Sequence, residues 1–203
     1  MDRLLPKSFY HRQPDIVARE LLGKILVSCT SGACMRCMVT EAEAYFGECD
    51  PASRARRGRG RIWRALHGEP GRALVYGMHR QWLLNIVAHN EGMAGAVLLR
   101  SCQPLEPPSL EPPPIGPGRL SRALSIGKEH DGVPLYSSSS PLRIEDPPGE
   151  VVHSIGCSGR VGVAEDLELP LRFYIVGSRF VSRARVSPPP RPCLAGGRAS
   201  PHT

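Results

Sequence analysis

Val39-Thr40-Glu41-Ala42-Glu43-Ala44-Tyr45-Phe46-Gly47 begins as an apolar strand, carries two carboxylates and an aromatic ring at alternate positions, and stops at a glycine. In an extended chain successive side chains leave opposite faces, so Glu41, Glu43 and Tyr45 share one face. Two acids and a ring make a poor core face but a serviceable pocket lining, in which one acid moves a proton and the ring stacks on a flat ligand. Directly after it come Asp50-Pro51-Ala52-Ser53 and the run Arg54-Ala55-Arg56-Arg57-Gly58-Arg59-Gly60-Arg61. A carboxylate site beside a dense cationic segment points to chemistry on a polyanion.

Working outward, Gln13 to Leu22 has apolar residues at Ile16, Val17, Leu21 and Leu22, the spacing of a short amphipathic helix that ends at Gly23. Lys24 to Cys29 reads as a strand, Ser31-Gly32 as a turn, and the next strand runs through Met38 towards Tyr45. Beyond the arginine-rich segment, Ile62 to Leu66 reads as a helical turn. Arg72 to Met78, Trp82 to Ala88 and Ala94 to Ser101 read as strands. Gln103 to Pro117 is proline-rich and is expected to be a loop. Arg119 to Ile126 is helix-like, Leu142 to Glu145 and Val161 to Val163 are expected to be short strands, and Leu171 to Val181 a late strand or strand pair broken near Gly177.

These elements add up to one α+β domain over residues 1–186, with a mainly antiparallel, curved sheet, flanking helices and long loops. Residues 187–203 are rich in Pro, Arg and Gly and are expected to be a disordered tail.

The chain has 203 residues, 41% of them hydrophobic, enough for one domain with a proper core. Its net charge of +7 favours nucleic acid or another anionic partner. Of the 26 Lys and Arg only Lys7, Lys24 and Lys128 are lysine, leaving 23 arginines, and arginine is the better bidentate phosphate ligand. No apolar run approaches the roughly 18 residues that span a bilayer, and the start of the chain has no secretory core. The expectation is an intracellular protein, cytoplasmic if the source is prokaryotic, with no membrane partner and most simply a monomer. Seven scattered cysteines do not read as a secreted disulfide framework. Cys34-Met35-Arg36-Cys37 has CxxC spacing, but no second pair completes a zinc site; it reads as part of a hairpin, and neither metal nor cofactor is expected.

Three further residues stand out against their surroundings. Glu43 lies among apolar neighbours, where burial raises a carboxyl pKa and suits it to general acid–base work. Asn85 lies inside Trp82-Leu83-Leu84-Asn85-Ile86-Val87, where an unpartnered amide costs on the order of 1–3 kcal/mol. Arg100 ends Val97-Leu98-Leu99, and a buried arginine must meet a carboxylate or a phosphate.

With these residues in view, the chain resembles the alkyladenine (3-methyladenine, or methylpurine) DNA glycosylases. The stretches that carry the resemblance are Ala18-Arg19-Glu20-Leu21-Leu22-Gly23-Lys24, Glu41 to Gly47, Asp50 to Ser53, Tyr76-Gly77-Met78-His79, Asn85, Ala96 to Arg100, Gly116-Pro117-Gly118, Arg160-Val161-Gly162-Val163 and Leu169 to Tyr174. Each is weak alone; together, in family order over residues 15 to 182, they are strong. The resemblance implies a monofunctional DNA N-glycosylase of base-excision repair. Such an enzyme flips an alkylated or deaminated purine (3-methyladenine, hypoxanthine or ethenoadenine type) out of double-stranded DNA and hydrolyses its glycosidic bond, leaving an abasic site.

By the same resemblance Glu43 is the general base and Arg100 steadies the backbone or water beside it. Tyr45 is a stacking wall, and Asn85 crowds the exocyclic amine of normal guanine. Tyr76 is the second wall and His79 the plug that fills the gap in the duplex, although a one-residue shift exchanges these two roles. Where the family commonly has a base-contacting histidine, this chain has Arg54. A guanidinium there would repel a cationic alkylpurine, so either Arg54 turns to a phosphate or neutral lesions such as hypoxanthine are favoured. Arg56, Arg57, Arg59 and Arg61 are expected to touch the DNA backbone. Two other classes compete: a non-catalytic nucleic-acid-binding module built on the arginine segments, and a thiol or zinc protein using Cys34 and Cys37.

Overall fold

A computed structural model describes residues 3–30, 33–149, 152–183 and 191–192. The tail expected at 187–203 lies outside the described residues apart from Arg191–Pro192, whose backbone pairs with a strand of the domain. Among the described residues nine strands form one antiparallel sheet: β1 (Ile25–Thr30), β2 (Ala33–Phe46), β3 (Ala73–Met78), β4 (Gln81–Val87), β5 (Gly95–Glu106), β6 (Leu142–Glu145), β7 (Ile155–Ser158), β8 (Arg172–Ile175) and β9 (Arg191–Pro192). The short helices are α1 (Pro14–Glu20), α2 (Arg61–Leu66) and α3 (Pro117–Ala123). The α+β single domain expected from the sequence is what is found.

The long strand β2 organises the sheet. One edge pairs with β5 along most of its length; the other pairs first with β1 and then, after Thr40, with β8. The order is β3-β4-β5-β2-β8-β7-β9, with β1 and β6 branching from the first half of β2. One face carries the main core, where Val17 and Ala18 of α1 and Leu120 of α3 pack on Val39, Ala42, Ala44, Leu84, Val97 and Leu99. A smaller cluster on the opposite face holds Ala55, Leu66, Leu74 and Ala96. It pins the arginine-rich segment to the sheet: Arg54–Arg57 is a 3-10 turn capped by the Ser53 side chain, followed by α2, with Ala55 and Leu66 as buried anchors.

Three sequence expectations are corrected, and the cysteines add a bond that was not anticipated. Strand β5 runs on through Gln103-Pro104-Leu105-Glu106 instead of becoming loop at Gln103. Pro104 is tolerated because β4 pairs only with Ala96–Leu98, so one side of the strand needs no donor there. Val161–Val163 is not a strand: the chain bends at Gly162, with φ of +74°, because the preceding Arg160 is held inside the protein. The late strand is confined to Arg172–Ile175, ending before Gly177 at φ of +77°, and its partner β7 was not anticipated. Cys34 forms a disulfide with Cys29, directly opposite in the β1–β2 pairing, while Cys37 is buried. The CxxC pair is therefore not a unit, and among the described residues no group of three His, Cys, Asp or Glu is gathered as a metal site. No helix among the described residues is long and apolar enough to cross a membrane.

Candidate active site

The register of the sheet builds the site. Leu74 lies opposite Asn85, Asn85 opposite Leu98, Leu98 opposite Glu43, and Glu43 opposite Arg172. This row crosses five strands, so Asn85 and Glu43 stand two strand spacings apart, about 9–10 Å at the usual interstrand distance. Tyr45 and Tyr76 flank the row on the same face. Above it opens a cavity of about 750 Å³ whose lining includes Tyr45, Arg54, Tyr76, His79, Asn85 and Arg100, within the usual size of a ligand pocket.

Glu41 and Glu43 keep the alternation expected of them, but a pair of compensating bulges is needed to make the site. Val39 faces Cys102 and Glu41 faces Ser101, so Thr40 is an extra residue on β2; Ala42 faces Leu99, so Arg100 is an extra residue on β5. Without them strict alternation would send Arg100 and Ser101 to opposite faces. With them both reach Glu41, at 2.8 Å and 2.7 Å, and Arg100 also reaches Glu43 at 3.2 Å.

The two glutamates, both fully buried, have carboxyl pKa values shifted in opposite directions. Glu41 accepts from Arg100 Nε, Arg172 Nε, Ser101 Oγ and both the N–H and Oγ of Ser182, at 2.6–2.8 Å. Burial pushes its carboxyl up, but the two arginines and Ser182 together outweigh that and hold it below the ordinary carboxylate range. Glu43 accepts from three donors: the Val161 N–H at 2.8 Å, the Tyr45 hydroxyl at 2.9 Å and Arg100 Nη1. For Glu43 burial dominates, and its pKa is raised although Arg100, Val161 and Tyr45 pull it down. A carboxylate has about four acceptor positions. Five donors fill Glu41, whereas Glu43 can still accept one more. Its three protein donors all come from residues that line the cavity, so Glu43 sits directly beneath the cavity floor.

A second buried network sets the walls. The Arg160 side chain is fully buried and grips Asp50 through two bonds of 2.6 and 2.7 Å, Asp166 at 2.6 and 2.8 Å, and the Ala44 carbonyl at 2.9 Å. Its guanidinium lies 4.5 Å from the centre of the Tyr45 ring. Asp50 also accepts the Phe46 and Ala52 N–H groups at 3.0 Å, closing the turn after β2. Arg160 thus fixes Tyr45, the entry to the arginine segment and the backbone that offers Val161 N–H to Glu43.

The other residues expected from the sequence fall as follows. Tyr76 is partly buried on the cavity wall, and burial raises its pKa. Asn85 is 4% exposed and donates to the Leu74 carbonyl at 3.2 Å. His79 is exposed at the tip of the β3–β4 hairpin; His79 and Arg80 have φ of +49° and +62°, the signs that a two-residue type I′ turn requires and that side chains other than Gly adopt at a cost. Arg54 turns inward, 3.0 Å from Met78 Sδ and 5.4 Å from the centre of the Tyr76 ring. Arg57 lines the cavity and Arg56 and Arg59 are exposed, with Arg56 near Glu165 at 3.9 Å. Arg61 is paired with Asp131. Sequence reasoning did not single out Glu41 as the anchor of Arg100, nor Asp50, Arg160, Arg172, Ser101 and Ser182. Asp50 and Arg160 lay within recognisable motifs, yet nothing local joins residues so far apart in the chain.

The sequence model for methylpurine-DNA glycosylase (MPG) matches residues 8–179. A protein of Aeropyrum pernix is 80% identical over 194 residues, covering 95% of this chain and 100% of its own length. One of Koribacter versatilis is 36% identical over 195 residues (89% and 94% covered), and one of Anaeromyxobacter dehalogenans 41% identical over 191 residues (92% and 87% covered). All three bear the name "Putative 3-methyladenine DNA glycosylase".

Proposed function

The chain belongs to the methylpurine-DNA glycosylase family and is a DNA N-glycosylase of base-excision repair; from that premise we propose how its residues divide the work. A damaged purine turned out of the duplex enters the cavity between Tyr45 and Tyr76. As the bond from C1′ to the purine nitrogen breaks and its electron pair leaves with the base, Glu43, unprotonated, takes a proton from the water whose oxygen bonds to C1′, and its charge faces the positive charge developing on the sugar. Arg100 holds Glu43 in place while Glu41 balances Arg100 and Arg172. Asn85, fixed by the Leu74 carbonyl, narrows the wall against an exocyclic amine. His79 at the hairpin tip enters the space the base has left. The observation that carries this reading is the contrast between the carboxylates: Glu43, beneath the cavity, has a raised pKa and one acceptor position to give, and Glu41 has neither.

The relatives' name gives 3-methyladenine and the family's gives methylpurines, and we extend alkylated purines to this chain as its substrate class. The inward guanidinium of Arg54 adds a preference. It is a fixed positive charge on the wall that favours neutral lesions, hypoxanthine or ethenoadenine, over cationic 3-methyladenine and 7-methylguanine. The test is incubation with duplexes carrying one such base each, scored as alkali-labile abasic sites. Glu43→Gln should abolish release and spare binding, and Arg54→His should shift the ratio of rates towards cationic lesions. Undiminished release by Glu43→Gln would refute the assignment of the base; an unchanged ratio would refute the role of Arg54.

A further inference from the structure

A second concavity of about 580 Å³ adjoins the cavity above and shares Pro117 with it. Gln81, Arg119, Arg179, Ser182 and Arg183 line it, and among the described residues its lining holds no Asp or Glu. All three arginines are exposed. This differs from the segment after Ser53, where Arg56 and Arg61 stand beside Glu165 and Asp131. Arg179 lies 5.0 Å from the centre of the Phe180 ring, but no carboxylate in the lining offsets the mutual repulsion of the three guanidinium groups. What they suit is a ligand with regularly spaced negative charges, which arginine grips two bonds at a time.

The tip of the β3–β4 hairpin separates the two concavities: Met78 and His79 line the first, Gln81 the second. The groove is also wired to the buried carboxylates. Ser182, between Arg179 and Arg183, donates its N–H and Oγ to Glu41 at 2.7 and 2.6 Å and accepts from Arg172 at 2.9 Å through its carbonyl.

We propose that this groove holds the phosphodiester backbone of the damaged strand on the far side of the hairpin tip from the everted nucleotide. The duplex is then gripped on both flanks of the tip, by the Arg54–Arg61 segment on one side and by Arg119, Arg179 and Arg183 on the other. The proposal rests on the glycosylase reading of the cavity and extends the DNA footprint beyond it.

The test is a scan in which each phosphate flanking the lesion is replaced in turn by a neutral methylphosphonate. The duplex carries a non-cleavable abasic analogue, and binding is followed by fluorescence anisotropy for the wild type and for Arg119→Gln/Arg179→Gln/Arg183→Gln. In the wild type one or two neighbouring replacements on one side of the lesion should weaken binding roughly tenfold or more, the size of a missing charged hydrogen bond. In the variant the same replacements should have no effect, and the slope of log K against log salt should be shallower by about 0.9 for each phosphate no longer neutralised. Matching scans in the two proteins would overturn the proposal. Because the scan reads binding alone, failure of base release would count against the glycosylase reading and leave this result legible. A circular-dichroism melt confirms that the variant, altered at exposed positions, is folded.

Discussion

Replacing Arg160 by Met tests the frame on which the site depends. The side chain is fully buried between Asp50 and Asp166, and Asp50 is itself inaccessible. Methionine roughly fills the space but removes all the donors, leaving Asp50 with only the Phe46 and Ala52 N–H groups. Removing one partner of a buried ion pair costs about 3–5 kcal/mol because the other charge stays buried. The two backbone donors place this case near the lower end, at about 3 kcal/mol. For a chain of this length each kcal/mol lowers Tm by about 2–4 °C, so the expected loss is roughly 6–12 °C. Calorimetry at neutral pH measures it, with urea unfolding as a second reading.

The same substitution in an Asp50→Asn background removes both charges. The double variant should be more stable than the sum of the two single losses predicts, with a coupling of about 1–3 kcal/mol. Below its melting range, Arg160→Met should also slow single-turnover base release by at least about tenfold, since the adjacent Val161 N–H no longer orients Glu43. A Tm within about 2 °C of the wild type, below the smallest loss expected, or strict additivity in the cycle, would refute the view that Arg160 and Asp50 form one cooperative unit.

As the proposed base Glu43 must be ionised to act, and its pKa is raised by burial, so the single-turnover rate should fall as pH drops through a value above the ordinary carboxylate range; a limb at or below that range contradicts the assignment. Tyr45→Phe removes a hydrogen bond that favours the ionised form, and in a pH series its limb should move to higher pH. The same shifts govern stability with opposite signs. A raised folded pKa means that the benefit of a protonated Glu43 is lost as pH rises, so Glu43→Gln should gain in relative Tm as pH climbs above the ordinary carboxylate range. Glu41, held low, contributes stability that is lost as pH falls, so Glu41→Gln should be destabilised most at neutral pH. Finally, Arg56, Arg57 and Arg59→Gln should each flatten the salt dependence of duplex binding by up to about 0.9 in log–log slope, and Arg61→Gln by less because Asp131 already partners it.

Sequence alone determined the pocket strand. Alternation is a local property of extended chain, so Glu41, Glu43 and Tyr45 could be placed on one face from their spacing, and the anomalies of Asn85 and Arg100 within apolar runs announced buried partners. The positions of most strands along the chain and the cationic segment beside the site were legible for the same reason: hydrophobic pattern and charge are written residue by residue. How the two glutamates differ in environment could not be read this way, because Glu41 and Glu43 are chemically alike. That was decided by Arg172, Ser182 and Val161, which arrive from more than a hundred residues away, and by two bulges that turn Arg100 towards both acids. A pKa depends on the donors and the burial that surround a group, and tertiary packing alone brings those together.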